Sequence, residues 1–146
     1  MSLLRSRPLR QKSDKAIVRD RTLNKTKREV LRRSRSCEIQ YCQAFRDRLD
    51  LHHVWGRGNI IGQPWCDSAA CCAVLCHGHH QLVTNHPLCE EQAILEDATL
   101  RRLMGRLAGD PDPRPVLYDT ADGSRAIRLG VAQTIVEALE RAGIEP

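Results

Sequence analysis

The sequence predicts an α+β protein, with a small ββα core set between a basic N-terminal arm with its helix and a C-terminal pair of helices. Three observations carry this. Cysteines and histidines gather in two compact groups, Cys37-x4-Cys42 and Cys76-His77-Gly78-His79-His80. The segment between about residues 48 and 85 reads in the order strand, loop, strand, short helix. After Pro87 the apolar residues change to helical spacing. At 146 residues the length fits one domain with extensions, divided as an arm over 1–27, a core over 28–88 and a helical extension over 89–146.

Residues 1–20 mix Arg, Lys, Ser and Pro8 without periodicity and read as disordered in the absence of a partner. A helix follows from Thr22 to about Arg35, with Leu23, Val30 and Leu31 apolar and Lys25, Lys27, Arg32 and Arg33 on its other faces. That basic face can lie along a phosphate backbone or be merely solvated. Cys37 to Cys42 forms a short turn, and Arg48 to Val54 a strand. The glycines of Trp55-Gly56-Arg57-Gly58-Asn59 end the strand in a loop that runs on to residue 68. Cys71 to Cys76 is short, apolar and suited to a second strand, and His79 to Asn85 to a helix. Glu90 to Leu107 carries Ile94, Leu95, Leu100, Leu103, Met104 and Leu107 at helical intervals. The prolines between Asp110 and Pro115 interrupt the chain. Ser124 or Asp122 caps a last helix to about Arg141, with Ile127, Val131, Ile135, Val136 and Leu139 on its apolar side. The two C-terminal helices read as packing or dimerisation elements.

Charge is unevenly distributed. Residues 1–36 carry +10 and the remainder −5, for a net +5. A basic arm on an acidic body points to a polyanion, with nucleic acid ahead of a membrane surface. The aromatic fraction is 3%, which argues against single-strand binders that stack bases on aromatic platforms. It also argues against a large conventional core and so raises the value of a metal as a staple. The longest apolar run, Ala69 to Cys76, is far below membrane-spanning length. The first residues lack the apolar stretch of a signal peptide. Seven cysteines without an export signal read as reduced thiols and metal ligands, which places the protein in the cytoplasm.

Thiolates and imidazoles presented from two short turns suit tetrahedral zinc. The simplest set is Cys37, Cys42, Cys76 and His79, with Gly78 easing the second turn; Cys66, Cys71 and Cys72 could compete. Taken singly, Cys71, Cys72 and Cys89 read as small buried hydrophobes. His52 and His53 are adjacent, so a regular strand turns them to opposite faces. At a strand end they diverge less, which leaves one ring to bind a metal and the other to meet a substrate. Asp50 can orient His52 or His53, or can be a solvent-facing edge residue. Arg57 can grip a phosphate or belong to a solvated loop. His77 and His86 read as surface residues.

Leu51-His52-His53-Val54 with Leu75-Cys76-His77-Gly78-His79-His80 resembles the HNH endonucleases, ββα-metal nucleases in their zinc-knuckle form, of phage or mobile-element type. Val30-Leu31-Arg32-Arg33 followed by Cys37-Glu38 extends the likeness, which covers about residues 28 to 86. The resemblance implies a divalent metal, Mg2+ or another, on His52 and His80, with His53 as general base. It repeats the structural zinc set of Cys37, Cys42, Cys76 and His79, with His79 in place of a cysteine. The family's middle Asn is missing, since Cys71 stands five residues before Cys76; Asn59 can serve instead. Implied with these are DNA as the partner, phosphodiester hydrolysis as the reaction, a homodimer as one arrangement, and the host cytoplasm as the location if a phage encodes the chain. The rival reading is a catalytically inactive zinc-knuckle DNA-binding protein.

Overall fold

A computed structural model describes residues 11–39, 41–42, 48–56, 64–108 and 125–146. Asn59 and Arg57, the first ten residues of the arm, and the capping positions 122 and 124 lie outside the described residues. The architecture is α+β: four helices among the described residues and one two-stranded antiparallel sheet.

Helix α1 spans Asp14–Arg33, eight residues earlier at its start than the apolar spacing predicts. Ser13 explains the difference. Its hydroxyl accepts the Ala16 N–H at 3.3 Å, Asp14 complements the positive end of the helix, and Lys12 pairs with Asp20. Residues 14–20 are therefore helical, not disordered. Periodicity missed this turn because it carries almost nothing to the core.

Strand β1, Leu49–His53, pairs with β2, Cys72–Cys76, so that Leu49 faces Cys76 and His53 faces Cys72. Two 3-10 turns, Pro64–Asp67 and Ala69–Cys71, lead into β2. Every residue from Cys71 to Leu75 is fully buried, which explains the unbroken apolar run. Glu38 docks on the free edge of β2. Its N–H donates to Val74 O at 3.0 Å, and its carboxylate accepts the Val74 N–H at 3.1 Å. This docking sets Cys37 beside the end of β2.

Arg33 locks the arrangement. It pairs with Glu38 at 3.0 Å and donates to Ala69 O at 2.8 Å and Cys72 O at 2.6 Å. Arg33 is thus a tie between α1 and the sheet, not a free phosphate contact as its sequence position suggested. Lys25 and Arg32 are exposed and Lys27 is half-buried.

Helix α2 is His77–Asn85, α3 is Glu90–Ala108 and α4 is Arg125–Arg141. Their buried stripes differ from the apolar ones. On α3 the stripe includes Gln92, Glu96 and Thr99 beside Leu95, Leu100 and Leu103. On α4 it runs Arg128, Ala132, Ile135, Val136, Leu139, while Ile127 is exposed. A polar network therefore fills part of the α3–α4 seam. Among the described residues, no helix is long and apolar enough to cross a membrane.

Candidate functional site

The Cys37–Cys42 turn and the start of α2 converge. The ligand atoms of Cys37, Cys42, Cys76 and His79 all lie within 4.8 Å of one another, an arrangement that could hold a zinc ion. Cys76 Sγ stands 3.2 Å from His79 Nδ1, Cys37 Sγ 3.5 Å from the same nitrogen, and Cys42 Sγ 3.7 Å from Cys76 Sγ. Ligand bonds of ~2.3 Å for sulfur and ~2.1 Å for nitrogen give tetrahedral edges of roughly 3.6–3.8 Å. The four atoms already sit near those vertices.

Cys76 also caps α2, its Sγ accepting the His79 N–H at 3.4 Å. Gly78 is not what permits the turn. It lies inside α2, and a Cβ there would meet nothing within 4 Å. Cys66, Cys71 and Cys72 take no part in this cluster. Burial pushes the Cys66 thiol up to about 12 and the Cys71 thiol up to about 11, as expected of core thiols.

A second constellation lines a cleft of about 430 Å3 beside the sheet, with His52, His53, His80, Gln92 and Arg125 among its walls. The pleat separates the adjacent histidines. His52 turns towards α3 and His53 towards the turn Pro64–Asp67, yet both border the cleft because they end the strand.

His52 is buried, and its Nε2 lies 3.0 Å from Gln92 Oε1. The surrounding bonds decide its tautomer. Gln92 Nε2 donates to Val54 O at 2.6 Å and to Glu96 Oε1 at 3.0 Å. Both partners are acceptors, so the amide nitrogen must face them and the amide oxygen must face His52. His52 therefore carries its proton on Nε2 and keeps a lone pair on Nδ1. Burial pushes its pKa down to about 4, against the Gln92 hydrogen bond, which favours the charged ring. The ring is neutral at pH 7, the form that binds metals.

Glu96 anchors the network. Fully buried, it accepts from Arg128 Nε at 2.6 Å and from Arg125 Nε at 2.8 Å. The C-terminal helices thus build one wall of the cleft, which corrects their reading as packing elements alone. The boundary drawn at residue 88 divides this cleft.

His80, at the first turn of α2, packs edge-on to His52 with ring centroids 5.5 Å apart. Two imidazoles sharing one ion at ~2.1 Å per nitrogen have centroids on the order of 5–6 Å apart, so the pair fits a shared metal. Asp50 does not orient His52 or His53 as expected. Its Oδ2 is 3.2 Å from His80 Nδ1 and 3.2 Å from His77 Nδ1. Partial burial raises the Asp50 pKa, but hydrogen bonds from His77 and His80 outweigh it, and the net shift is downward. With Nδ1 of His80 engaged, Nε2 is the nitrogen left for a metal. His77, exposed as expected, shares that carboxylate.

His53 Nε2 lies 2.9 Å from Asp67 Oδ1. The geometry is that of an ion pair, not an aligned hydrogen bond. Thr26 holds the backbone of the same residue, donating to Asp67 O at 2.9 Å. At the position expected of the middle Asn, Cys71 is buried; its N–H donates to Ser68 O at 3.0 Å and its carbonyl accepts the Val54 N–H at 3.1 Å.

Sequence reading missed Asp67, Gln92, Glu96 and Arg125. A signal existed for two of them, Gln92 and Glu96, and none for Arg125. Gln92 and Glu96 are one helical turn apart within the apolar stripe of α3, and Arg128 occupies the matching stripe of α4 at the 128/132/135/139 spacing. Asp67 had none, because only the tertiary fold brings it to His53. No family model, curated protein or solved structure matches the chain.

Proposed function

We propose that this protein is a metal-dependent endonuclease of the HNH type that hydrolyses phosphodiester bonds in DNA. The observation that carries the reading is the division of labour at the end of β1. His52 is held neutral with Nδ1 open, beside His80, while adjacent His53, which borders the same cleft, pairs with the carboxylate of Asp67.

The residues have separable tasks. Asp67 orients the His53 ring and stabilises the imidazolium formed when Nδ1 takes a proton from water. This is the orienting function the missing Asn left unfilled. Asp50 fixes the His80 ring and leaves its Nε2 available, and Gln92 does the same for Nδ1 of His52. A divalent ion held by these two nitrogens would supply charge neutralisation for the phosphate and the leaving oxygen. Two imidazoles without a carboxylate ligand suit Mn2+, Ni2+, Co2+ or Zn2+ better than Mg2+, which prefers oxygen donors. Zinc on Cys37, Cys42, Cys76 and His79 is structural, since all four positions are filled by protein. The exposed Lys25 and Arg32 of α1, with Lys27 and the basic arm, supply the sequence-independent attraction to DNA.

Plasmid nicking tests the proposal. The zinc-loaded protein is expected to relax supercoiled DNA with Mn2+ or Ni2+ and more weakly with Mg2+. His53→Ala is expected to lose at least a hundredfold in rate, within the usual range for a general base. If wild type leaves the plasmid intact under every metal yet retards it in a gel, the chain is a zinc-knuckle DNA-binding protein instead.

A further inference from the structure

We infer that Arg125, at the start of α4, is the phosphate-binding residue of the cleft, gripping a non-bridging oxygen of the nucleic-acid backbone. This inference rests on the phosphodiester reading of the same cleft and adds a residue that lies outside every segment in which the nuclease resemblance was read.

The side chain is aimed, and it has capacity to spare. Its Nε is fixed on buried Glu96 at 2.8 Å, and one terminal nitrogen, Nη2, is 3.5 Å from Val54 O, the same carbonyl that Gln92 engages. Its other terminal nitrogen, Nη1, has no partner among the described residues. The side chain is 20% exposed, and the residue lines the cleft together with His52, His53 and His80. A guanidinium held through one edge presents its remaining N–H groups in a fixed direction, the geometry that suits an oxyanion.

Charge supports the same ligand. Among the described residues no carboxylate lines the cleft, and Arg125 is its one cationic lining residue. Glu96 lies beneath the wall and is already matched by Arg128 at 2.6 Å. The group of Arg125, Arg128 and Glu96 therefore carries one net positive charge, which Glu96 orients without exhausting. A site built for a cationic or neutral substrate would not leave a half-buried guanidinium in that state.

The test uses the full-length zinc-loaded protein, with NMR following the Arg125 side chain and the imidazoles of residues 52, 53 and 80. Inorganic phosphate and then dimethyl phosphate are titrated in, and acetate serves as the carboxylate control. Saturable shifts at Arg125 and the histidines are expected for both phosphates, with acetate at least tenfold weaker. Arg125→Gln is expected to weaken phosphate binding roughly ten- to a hundredfold, the loss of a charge-assisted hydrogen bond. Arg125→Lys, which keeps the charge beside Glu96, should fall between the two. Shifts confined to α1, or unchanged affinity in Arg125→Gln, overturn the assignment. Should that variant fail to fold, unchanged affinity in Arg125→Lys does so. Phosphate bound at Arg125 without plasmid cleavage upholds the site and refutes the hydrolase reading. Cleavage by Arg125→Gln at wild-type KM does the reverse.

Discussion

Replacing Glu96 with Gln isolates the network under the cleft. The substitution keeps the shape and removes one charge from a position with no solvent exposure. Arg128, 4% exposed and 2.6 Å away, would be left without its counter-charge. Arg125 is less affected, because at 20% exposure it can turn to water. Breaking one partner of a buried pair costs about 3–5 kcal/mol, a large share of the ~5–15 kcal/mol that holds a domain folded. For a chain of this size that lowers Tm by roughly 6–20 °C. Urea unfolding should show a lower midpoint with an unchanged slope, because the surface exposed on unfolding is the same. A second effect reaches the cleft. The carboxamide no longer requires the Gln92 amide nitrogen to face it, so the His52 tautomer loses one of its two constraints, the Val54 carbonyl being the other, and metal affinity at His52 and His80 should fall about 10-fold or more. The double variant Glu96→Leu/Arg128→Met removes both charges and should be more stable than Glu96→Gln alone. If Glu96→Gln unfolds at the wild-type midpoint, or binds Mn2+ as wild type does, the network neither supports the fold nor sets the ligand.

The remaining predictions concern the zinc cluster and pH. Substituting Cys42 by Ser should abolish stoichiometric zinc and, in Co2+-loaded protein, the thiolate charge-transfer absorption; unchanged zinc content would refute the four-residue set. For His52, the folded pKa of about 4 lies below the unfolded value of about 6.5, so between them the unfolded chain takes up the proton. Stability from this residue is complete above pH 6.5 and declines as pH falls towards 4, by about 3 kcal/mol in all. Denaturation across that range should be shallower in His52→Asn by that amount, and equal slopes would show that the ring is not buried neutral.

The zinc set was legible because four ligands in two short turns leave few ways to converge. The second strand was legible as a short apolar run, the first from the glycines that end it, and the span of α3 from helical spacing. The early start of α1 was not, because a cap and a first-turn acid act locally while carrying no apolar face to the core. Asp50 was assigned to the wrong ring because adjacency along a strand says less than the pleat does. Asp50 and His52 are two apart and share a face, and α2 lays His80 between them on that side. Asp67 and Arg125 could not be found at all, since neither lies near the histidines in sequence.

On the proposed function, the missing Asn would be a case of a site keeping a task while changing the residue that performs it. A general base needs its proton-bearing nitrogen held by an acceptor, and the acceptor's chemistry matters less than its position. Cys71, at the expected place, is buried in the core behind β2 and can offer only its carbonyl, which Val54 uses. Four residues earlier, the 3-10 turn ending at Asp67 brings a carboxylate to His53. A carboxylate does more than an amide would, because it also stabilises the imidazolium that forms as the proton arrives. The same turn is tied to α1 through Thr26. The helix carrying the basic residues is therefore connected to the residue that pairs with His53, so that on the proposed function docking of α1 on DNA and orientation of His53 would belong to one mechanical unit.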